Sequence, residues 1–584
     1  MLLSGWNFGV ASWVNGFVCN VGGRSRLSPF LALTLVVLSA IATNLPTRAQ
    51  PGNVSCDRDQ GNGCDRNPTP LIHPSSPANL QPPKPQPSSP STDPPLHFPI
   101  TVFHFQGNTV LSDRRLRRQL RSFLGEARTL RDLKAIQTAI LTAYERAGYP
   151  LVRVNQPQRL TPDGAFSIEI VELTVGEVAI ANNQHFSIQS IRIALPDLQT
   201  AQPPNIKQLT RQLFLANDNP SRQLTLHLHS PADGKIPVEI QVKDRFPHHW
   251  ALQLDNSGIE TTGRTRLSLT TQNHNLFNQG HLAAFSLTLS PEKIDRLLQL
   301  GFRYQLPIPH WGDSLSLSAS YSKADSGRIA DLFDVSGEGI ASRLRFTHNL
   351  KRSQTDRHSL DIGLDYRLFQ NRVDFFGLDL GNDVASFPIS LGYQYASRQG
   401  PHHFALGVRY WHNLPGIVNQ NNTTAYSNSR ARASTNWDLI RLNSVYQRQW
   451  ENGWGLNFQL EGQYAGEPLI PGEQFGLGGQ RSIRGLEARE VAGDNALRAS
   501  LELHTPNLGQ GHRLLAFSDL GSYWREAALP GEIEHDVIWT VGLGWRWQLR
   551  DRATSTLDLG YVLDGSTISN PGDLRLHFLL QILF

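Results

Sequence analysis

"SLDIGLDYRLF", residues 359–369, alternates with a period of two. Leu360, Ile362, Leu364, Tyr366 and Leu368 fall on one face of an extended chain, and Asp361, Gly363, Asp365 and Arg367 on the other. Successive side chains of a β-strand point to opposite faces, so this stretch reads as a strand with one apolar and one polar surface. The scheme returns in "FPISLGYQYA" (387–396), "GLNFQLEGQYA" (455–465), "DVIWTVGLGWRWQL" (536–549) and "DLRLHFLLQILF" (573–584). Apolar and aromatic side chains outward, with small, polar or charged ones inward, mark a transmembrane β-barrel. A soluble sandwich shows the same alternation with its sense reversed, and alternation alone does not separate the two. A secretory leader, the aromatic-rich outer faces and the terminal Phe584 favour the membrane barrel.

Sixteen candidate strands follow Phe246, beginning near residues 249, 264, 282, 298, 315, 344, 360, 387, 404, 438, 456, 497, 514, 537, 556 and 574. Outer-membrane barrels have an even number of antiparallel strands, short periplasmic turns and long external loops. The longest gaps follow strands 5, 7, 9 and 11, all odd, whereas gaps after even strands are brief, as in "QWENGWG" and "QLRDRAT". An N-terminal periplasmic region feeding strand 1 therefore places every odd-to-even loop outside the cell. The expected fold is a 16-stranded antiparallel membrane β-barrel at 247–584, preceded by small α+β modules.

Upstream, Arg24 and Arg26 precede "LSPFLALTLVVLSAIATNL", and Thr47 and Ala49 offer the small residues of a cleavage site. This reads as a secretory signal peptide over 1–49; the alternative is a retained membrane anchor. Thirteen of the 36 prolines lie between Pro51 and Pro99, which makes 50–97 an extended linker that cannot bury a core. The chain has three cysteines, Cys19, Cys56 and Cys64, and none in the last 520 residues, which suits an oxidising compartment. Cys56 and Cys64 either close a small disulfide loop or stay unpaired. From Ile100 the chain reads strand, short helix, longer helix, then a hairpin across "TPDG". In the longer helix Leu133, Ile136, Ile140, Leu141 and Tyr144 share one face, Thr129 and Asp132 form a capping box, and Gly148 supplies the stop. The β-α-α-β-β order then repeats, giving two modules of about 75 residues, 98–172 and 173–246.

The loop between strands 11 and 12 carries "GLGGQRSIRGLEAREVAGDN" (476–495), with its glycines, two close arginines and almost no apolar run. "GGQRSIRGLEAREVAGDN" resembles the sixth-loop motif of the Omp85 superfamily. The fit is Ile483, Arg484 and Gly485, with Leu486 where an aromatic is commoner. "AFSDLGSYW" resembles that superfamily's second motif, here Phe517, Asp519 and Gly521 on strand 13. The tandem modules resemble POTRA domains, and two of them before sixteen strands are similar to the transporters of two-partner secretion (TpsB, the hemolysin secretion and activation proteins). The resemblance implies an outer-membrane protein with its POTRA domains in the periplasm, which recognises an unfolded, β-rich exoprotein (TpsA-like, encoded nearby) and secretes it through the barrel. It also implies contact with outer-membrane lipid and with the barrel assembly machinery through Phe584. A charge at Asp519 cannot face lipid cheaply and must point into the lumen, where Arg484 on an infolded loop meets it through a bidentate contact. A wet lumen keeps the worth of such a pair low. Some superfamily members plug the pore with an N-terminal helix; the proline-rich segment makes one poorly, so the loop itself is expected to supply most of the obstruction.

Two other readings stay open. One is an assembly or insertion factor of the same superfamily, which carries more POTRA modules. The other is an enzyme built into the barrel, although neither G-x-S-x-G nor a G-K-[ST] phosphate loop occurs. A net charge of +4, close to neutral for a chain of this length, argues against nucleic acid, whose binders normally show a basic face of clustered Lys and Arg. His248-His249, His402-His403 and the pair His227/His229 lack a third ligand at useful spacing and read as exposed turn or strand histidines. No metal, cofactor or catalytic residue is expected.

Overall fold

In the computed structural model the described residues are 98–155, 164–329, 333–375, 378–379, 381–550 and 552–584. The leader, the linker and Cys56 and Cys64 lie outside them, as does most of "TPDG".

Each barrel strand pairs antiparallel with the next, and strand 16 (Leu574–Leu583) closes onto strand 1 (His248–Asp255) through Leu579↔Asp255 to Leu583↔Ala251. Closure satisfies every backbone N–H and C=O in a solvent that offers no hydrogen bonds. Two short strands, Leu378–Asp379 and Asn382–Ser386, fold back onto the outer end of strand 7, leaving sixteen that traverse the wall. The pleat sorts side chains as the alternation requires. Ile362 and Leu391 are more than half exposed on the outer face, while Asp361 and Asp365 are 1 % exposed on the inner one. An apolar surface this extensive on a folded chain has lipid as its solvent.

The external ends differ from the sequence reading at two gaps. Strand 5 (Asp313–Ile329), strand 6 (Phe333–Arg352) and strand 7 (Asp356–Phe375) run on far past the apolar band. The gap expected after strand 5 therefore shrinks to 330–332, and strand 6 begins at Phe333 rather than near 344. Above the membrane both faces meet water, so the ladder continues without the hydrophobic alternation that betrays it in sequence. Strands 9 and 11 do end in long loops, 414–437 and 466–494.

In the first periplasmic module a three-stranded sheet has the order Val102–Gln106, Ala165–Glu172, Val152–Val154. Helices Asp113–Gln119 and Leu130–Ala147 cover one face, and Phe103, Leu116, Ile136, Ile140, Tyr144 and Ile168 are buried between the layers. The capping box of Thr129 and Asp132 is present, and Gly148 ends the helix at φ 96°. The predicted first helix is shorter than its leucine pattern suggested; a 3₁₀ turn (Arg121–Phe123) and a short strand (Gly125–Arg128) paired with Phe98–Ile100 take up its end. The second module repeats the layout with sheet order Thr174–Ala181, Lys235–Asp244, Arg222–Leu228 and a core of its own.

The same clamp recurs in both modules. Glu172, at the end of the central strand, accepts the backbone N–H groups of Thr109 (3.0 Å) and Val110 (2.9 Å), the Thr109 hydroxyl and the Tyr144 hydroxyl (2.6 Å). Asp244, at the matching place, accepts from Gln184, His185 (2.8 Å) and Phe186 (2.9 Å). Asn108 and Asn183 each donate to a carbonyl three residues on, Leu111 and Phe186. Burial works to raise the Glu172 pKa, but the donors outweigh it and hold the carboxyl below the usual glutamate value. A carboxyl lowered on folding contributes stability that is fully present above its unfolded pKa and is lost as pH falls through the folded one. Glu172→Gln should therefore destabilise the first module by about 1 kcal/mol, read by denaturant unfolding of residues 98–246. The difference from wild type should vanish in acid; a loss that is independent of pH would refute this role.

Candidate functional site: the lumenal loop

The loop at 466–494 folds inward instead of standing in solvent. Its stem is a two-stranded ribbon in which Phe475–Leu477 pairs with Val491–Gly493. Beyond the stem the chain reverses through Gly478 and Gly479, whose φ values of 112° and 96° suit glycine. The poverty of apolar runs in this stretch misled in one respect. Leu477, Ile483 and Leu486 are fully buried, packed with Val491, Tyr523, Ile538 and Val562. Leu486 fills an apolar cluster that includes the Tyr523 ring.

The wall beneath the tip is thinned to receive it. A Cβ on Gly521 of strand 13 would lie 2.1 Å from Ile483 Cδ1, and one on Gly560 of strand 15 would lie 2.6 Å from the Gly485 nitrogen. The Gly485 N–H donates to His577 Nε2 of strand 16 at 3.0 Å.

Arg484 is 4 % exposed and Asp519 is fully buried. The guanidinium grips the carboxylate with Nε to Oδ2 at 2.7 Å and Nη2 to Oδ1 at 2.8 Å, and the Arg484 N–H adds a third bond at 3.1 Å. Ser500 Oγ donates to Asp519 Oδ1 at 2.6 Å, fixing the acceptor. The guanidinium lies 3.6 Å above the centroid of the Phe517 ring, which gives the aromatic of the strand motif a cation–π role. The expectation of an isolated pair in a wet lumen needs correcting. Arg484 Nη1 also reaches Glu502 of strand 12 at 2.6 Å and lies 3.9 Å from Asp558 of strand 15. Asp558 is held in turn by Arg546 of strand 14 at 2.6 Å. One loop arginine thus gathers groups from strands 12, 13 and 15, nearly out of water, while the adjacent Gly485 is held by strand 16. Arg481 and Arg489, the other arginines of the loop, are exposed.

Three residues that the sequence reading missed hold the root of the loop. Asp494, fully buried, accepts Arg430 Nη1 at 2.8 Å, the Leu469 N–H at 2.9 Å and the Glu526 N–H at 2.8 Å. It thereby ties the loops after strands 9, 11 and 13 together. Glu473 accepts Ser386 Oγ at 2.6 Å and pairs with Arg367 of strand 7. Nothing local signals either acid, because their partners are more than 20 residues away in sequence. The histidines singled out above are half-buried strand residues, except the exposed His229. His402 Nδ1 meets the Tyr446 hydroxyl at 2.9 Å, and His249 Nε2 meets Ser221 Oγ of the second module at 3.0 Å.

Removing one member of a buried, hydrogen-bonded ion pair costs roughly 3–5 kcal/mol. Arg484→Ala and Asp519→Ala should each leave a folded barrel with a displaced loop, seen as altered single-channel conductance and reduced secretion. Because the two share a contact, their double-mutant cycle should depart from additivity by about 1 kcal/mol or more; strict additivity would show that they do not act together. Gly521→Ala tests the steric half alone. It touches no charge, yet should shift conductance in the same direction as Arg484→Ala.

With this geometry in hand, comparison with known proteins is informative. The family profile "Haemolysin secretion/activation protein ShlB/FhaC/HecB" matches residues 234–547, and "POTRA domain, ShlB-type" matches residues 98–172. Among curated proteins the chain is 22 % identical over 408 residues to the outer membrane transporter CdiB of Dickeya dadantii, covering 68 % of this chain and 70 % of that one. It is 21 % identical over 462 residues to the heme/hemopexin transporter protein HuxB of Haemophilus influenzae, covering 77 % and 81 %. Among solved structures, CdiB from Escherichia coli superposes with a TM-score of 0.66 at 16 % identity over 85 % of this chain and 93 % of that one, and CdiB from Acinetobacter baumannii with 0.63. The profile spans more than half the chain and takes in the folded-in loop and its strand-13 partner, so the protein belongs to the haemolysin secretion/activation (ShlB/FhaC/HecB) family.

Proposed function

We propose that this outer-membrane protein, with its POTRA region in the periplasm, is the translocator of a two-partner secretion pair. It takes an unfolded, β-rich exoprotein from the periplasm and threads it outward through the barrel. The observation that carries the reading is the lumenal loop. Its seat on strands 12 to 16 rests largely on hydrogen bonds and ion pairs. When the loop leaves, water or a passing polypeptide re-solvates both members of each pair together, a replacement that a fully apolar plug lacks. The periplasm holds no ATP, so folding of the cargo outside supplies the direction.

Recognition falls to the periplasmic sheets. In each module the central strand is covered on both sides, leaving Val102–Gln106 and Val152–Val154 as edges of the first sheet and Thr174–Ala181 and Arg222–Leu228 as edges of the second. An exposed edge accepts an extended segment by β-augmentation, with main-chain bonds for affinity and side-chain pockets for specificity. Each module has its own core, so residues 98–246 can be prepared alone. That fragment should bind the unfolded N-terminal segment of the partner exoprotein and lose it when the segment is folded. Equal binding to arbitrary unfolded chains would indicate a chaperone instead.

One observation favours the assembly-factor reading: strands 16 and 1 share five register pairs, Ala251–Asp255, extended by the backbone bonds of Trp250 with Phe584, a somewhat shorter ladder than their neighbours make. A disulfide across Leu252→Cys and Ile582→Cys, opposite each other in that ladder, distinguishes the two. Secretion through the pore should survive the lock, and sideways delivery into the membrane should not.

A further inference from the structure

The second module is seated on the barrel by a polar seam. Asp218 receives Arg352 at 2.5 Å and Arg357 at 2.8 Å from the turn between strands 6 and 7. Ser221 Oγ lies between His249 Nε2 (3.0 Å) and His274 Nδ1 (2.7 Å) of strands 1 and 2, and Asn219 donates to the His274 carbonyl. Inside this seam is a cavity of about 50 Å³, bounded by Leu215 and Asn219 of the module and by Gly280, Leu282, Gln305 and Pro307 of the barrel's periplasmic end. Arg222 opens onto it.

Arg222 is 6 % exposed. Its Nη2 reaches the Ala216 carbonyl at 3.3 Å, and the guanidinium lies 5.1 Å from the centroid of the Phe186 ring. Its Nε and Nη1 are buried without a hydrogen-bond partner among the described residues. Gly280, at φ 70°, stands opposite the guanidinium; a Cβ there would lie in ordinary contact at 3.5 Å from Nη2. The carboxylate in the cavity lining, Asp218, is committed to Arg352 and Arg357 and does not neutralise this cation. Asp244 lies within electrostatic reach, but it is occupied with the backbone N–H groups of residues 184–186. Burial still pushes the Arg222 guanidinium down to about 10, with Asp244 opposing. A buried guanidinium with two unused donors is costly unless a partner takes them. Nε–H and Nη1–H diverge, so a small oxyanion takes one of them singly, or takes Nη1 together with Nη2 in place of the 3.3 Å Ala216 contact. Gln305 belongs to the same lining. The cavity has room for a small oxyanion and none for a nucleotide.

We infer that the seam between the second periplasmic module and the barrel is a binding site for one small oxyanion, carboxylate or phosphate, gripped by Arg222. Anything that binds the docked arrangement alone stabilises it by mass action, so the bound anion fastens the module to the barrel mouth. The site lies apart from the lumenal loop, and its test does not depend on secretion.

Full-length protein in detergent is titrated calorimetrically with sodium phosphate and, separately, with sodium acetate, at constant ionic strength set by chloride. Saturable binding of one anion per chain is expected. At least a tenfold loss is expected in Arg222→Gln and also in Leu282→Phe, which keeps the arginine but fills the cavity. Tighter binding of acetate assigns the site to a carboxylate, as on an acidic side chain; tighter phosphate assigns it to free phosphate or a phosphate ester. Binding of neither anion, or binding unchanged in both variants, overturns the inference. Should Arg222→Gln fail to fold, wild type against Leu282→Phe decides in the same way.

Discussion

A buried guanidinium tolerates few surroundings, and Arg484 has the one that works: carboxylates at hydrogen-bond distance, an aromatic face beneath and backbone held close by glycine. One side of the barrel interior is arranged around this need and around the seat of the adjacent Gly485. Asp519 and Phe517 come from one strand, Glu502 and Ser500 from the next, and Asp558 and His577 from two more. Strands 12 to 16 are therefore more than a lipid barrier; they form a template for one loop. The attraction between Arg484 and Asp519 is strong because water is nearly excluded, and for the same reason each group depends on the other. A contact of this kind holds one position well and gives no graded series of intermediates, which gives the loop a defined seat in the barrel lumen.

The root of the loop obeys the same rule at the external mouth. Asp494 joins three loops through Arg430 and backbone N–H groups, and Glu473 ties the near end to strand 7. The loop is thus fastened at both ends by buried acids with basic partners, while Leu477, Ile483 and Leu486 seal the space between. Apolar packing sets the shape of the seat, and the ion pairs set its register. In the periplasm the same logic appears at smaller scale: Glu172 and Asp244 each gather the backbone of the turn after the first strand of a module, at matching places in two copies of one design.

Much of this was legible in the chain. The period of two from "SLDIGLDYRLF" onward exposed the wall, and all sixteen strands stand where alternation placed them, except that strand 6 starts earlier. The parity of the long gaps gave the orientation expected of the barrel. Strand extensions beyond the membrane were invisible because residues such as Ser336 and Glu338 meet water on both faces and carry no alternation. Arg484 and Asp519 were legible through motif spacing, and the structure brings them together. Arg430, Glu473, Asp494 and Gly560 were not, since each gains its meaning from a partner distant in sequence.

What the sequence by itself determined is therefore local: which side chains face lipid and which face the lumen, how many times the chain crosses, where helices begin and stop, and that an acid on strand 13 needs a cation. Alternation, capping residues and motif spacing fix these because each depends on a residue and its near neighbours in sequence. What only the tertiary structure decided is who meets whom. Closing sixteen strands sets the stagger between walls, and the infolded loop then falls against Glu502, Asp558 and His577 rather than against any other inward-facing group. The docking of the second module likewise buries Arg222 against Gly280, two residues that neither periodicity nor motif relates. Inward or outward is a property of one strand; the neighbour across the lumen is a property of the closed barrel.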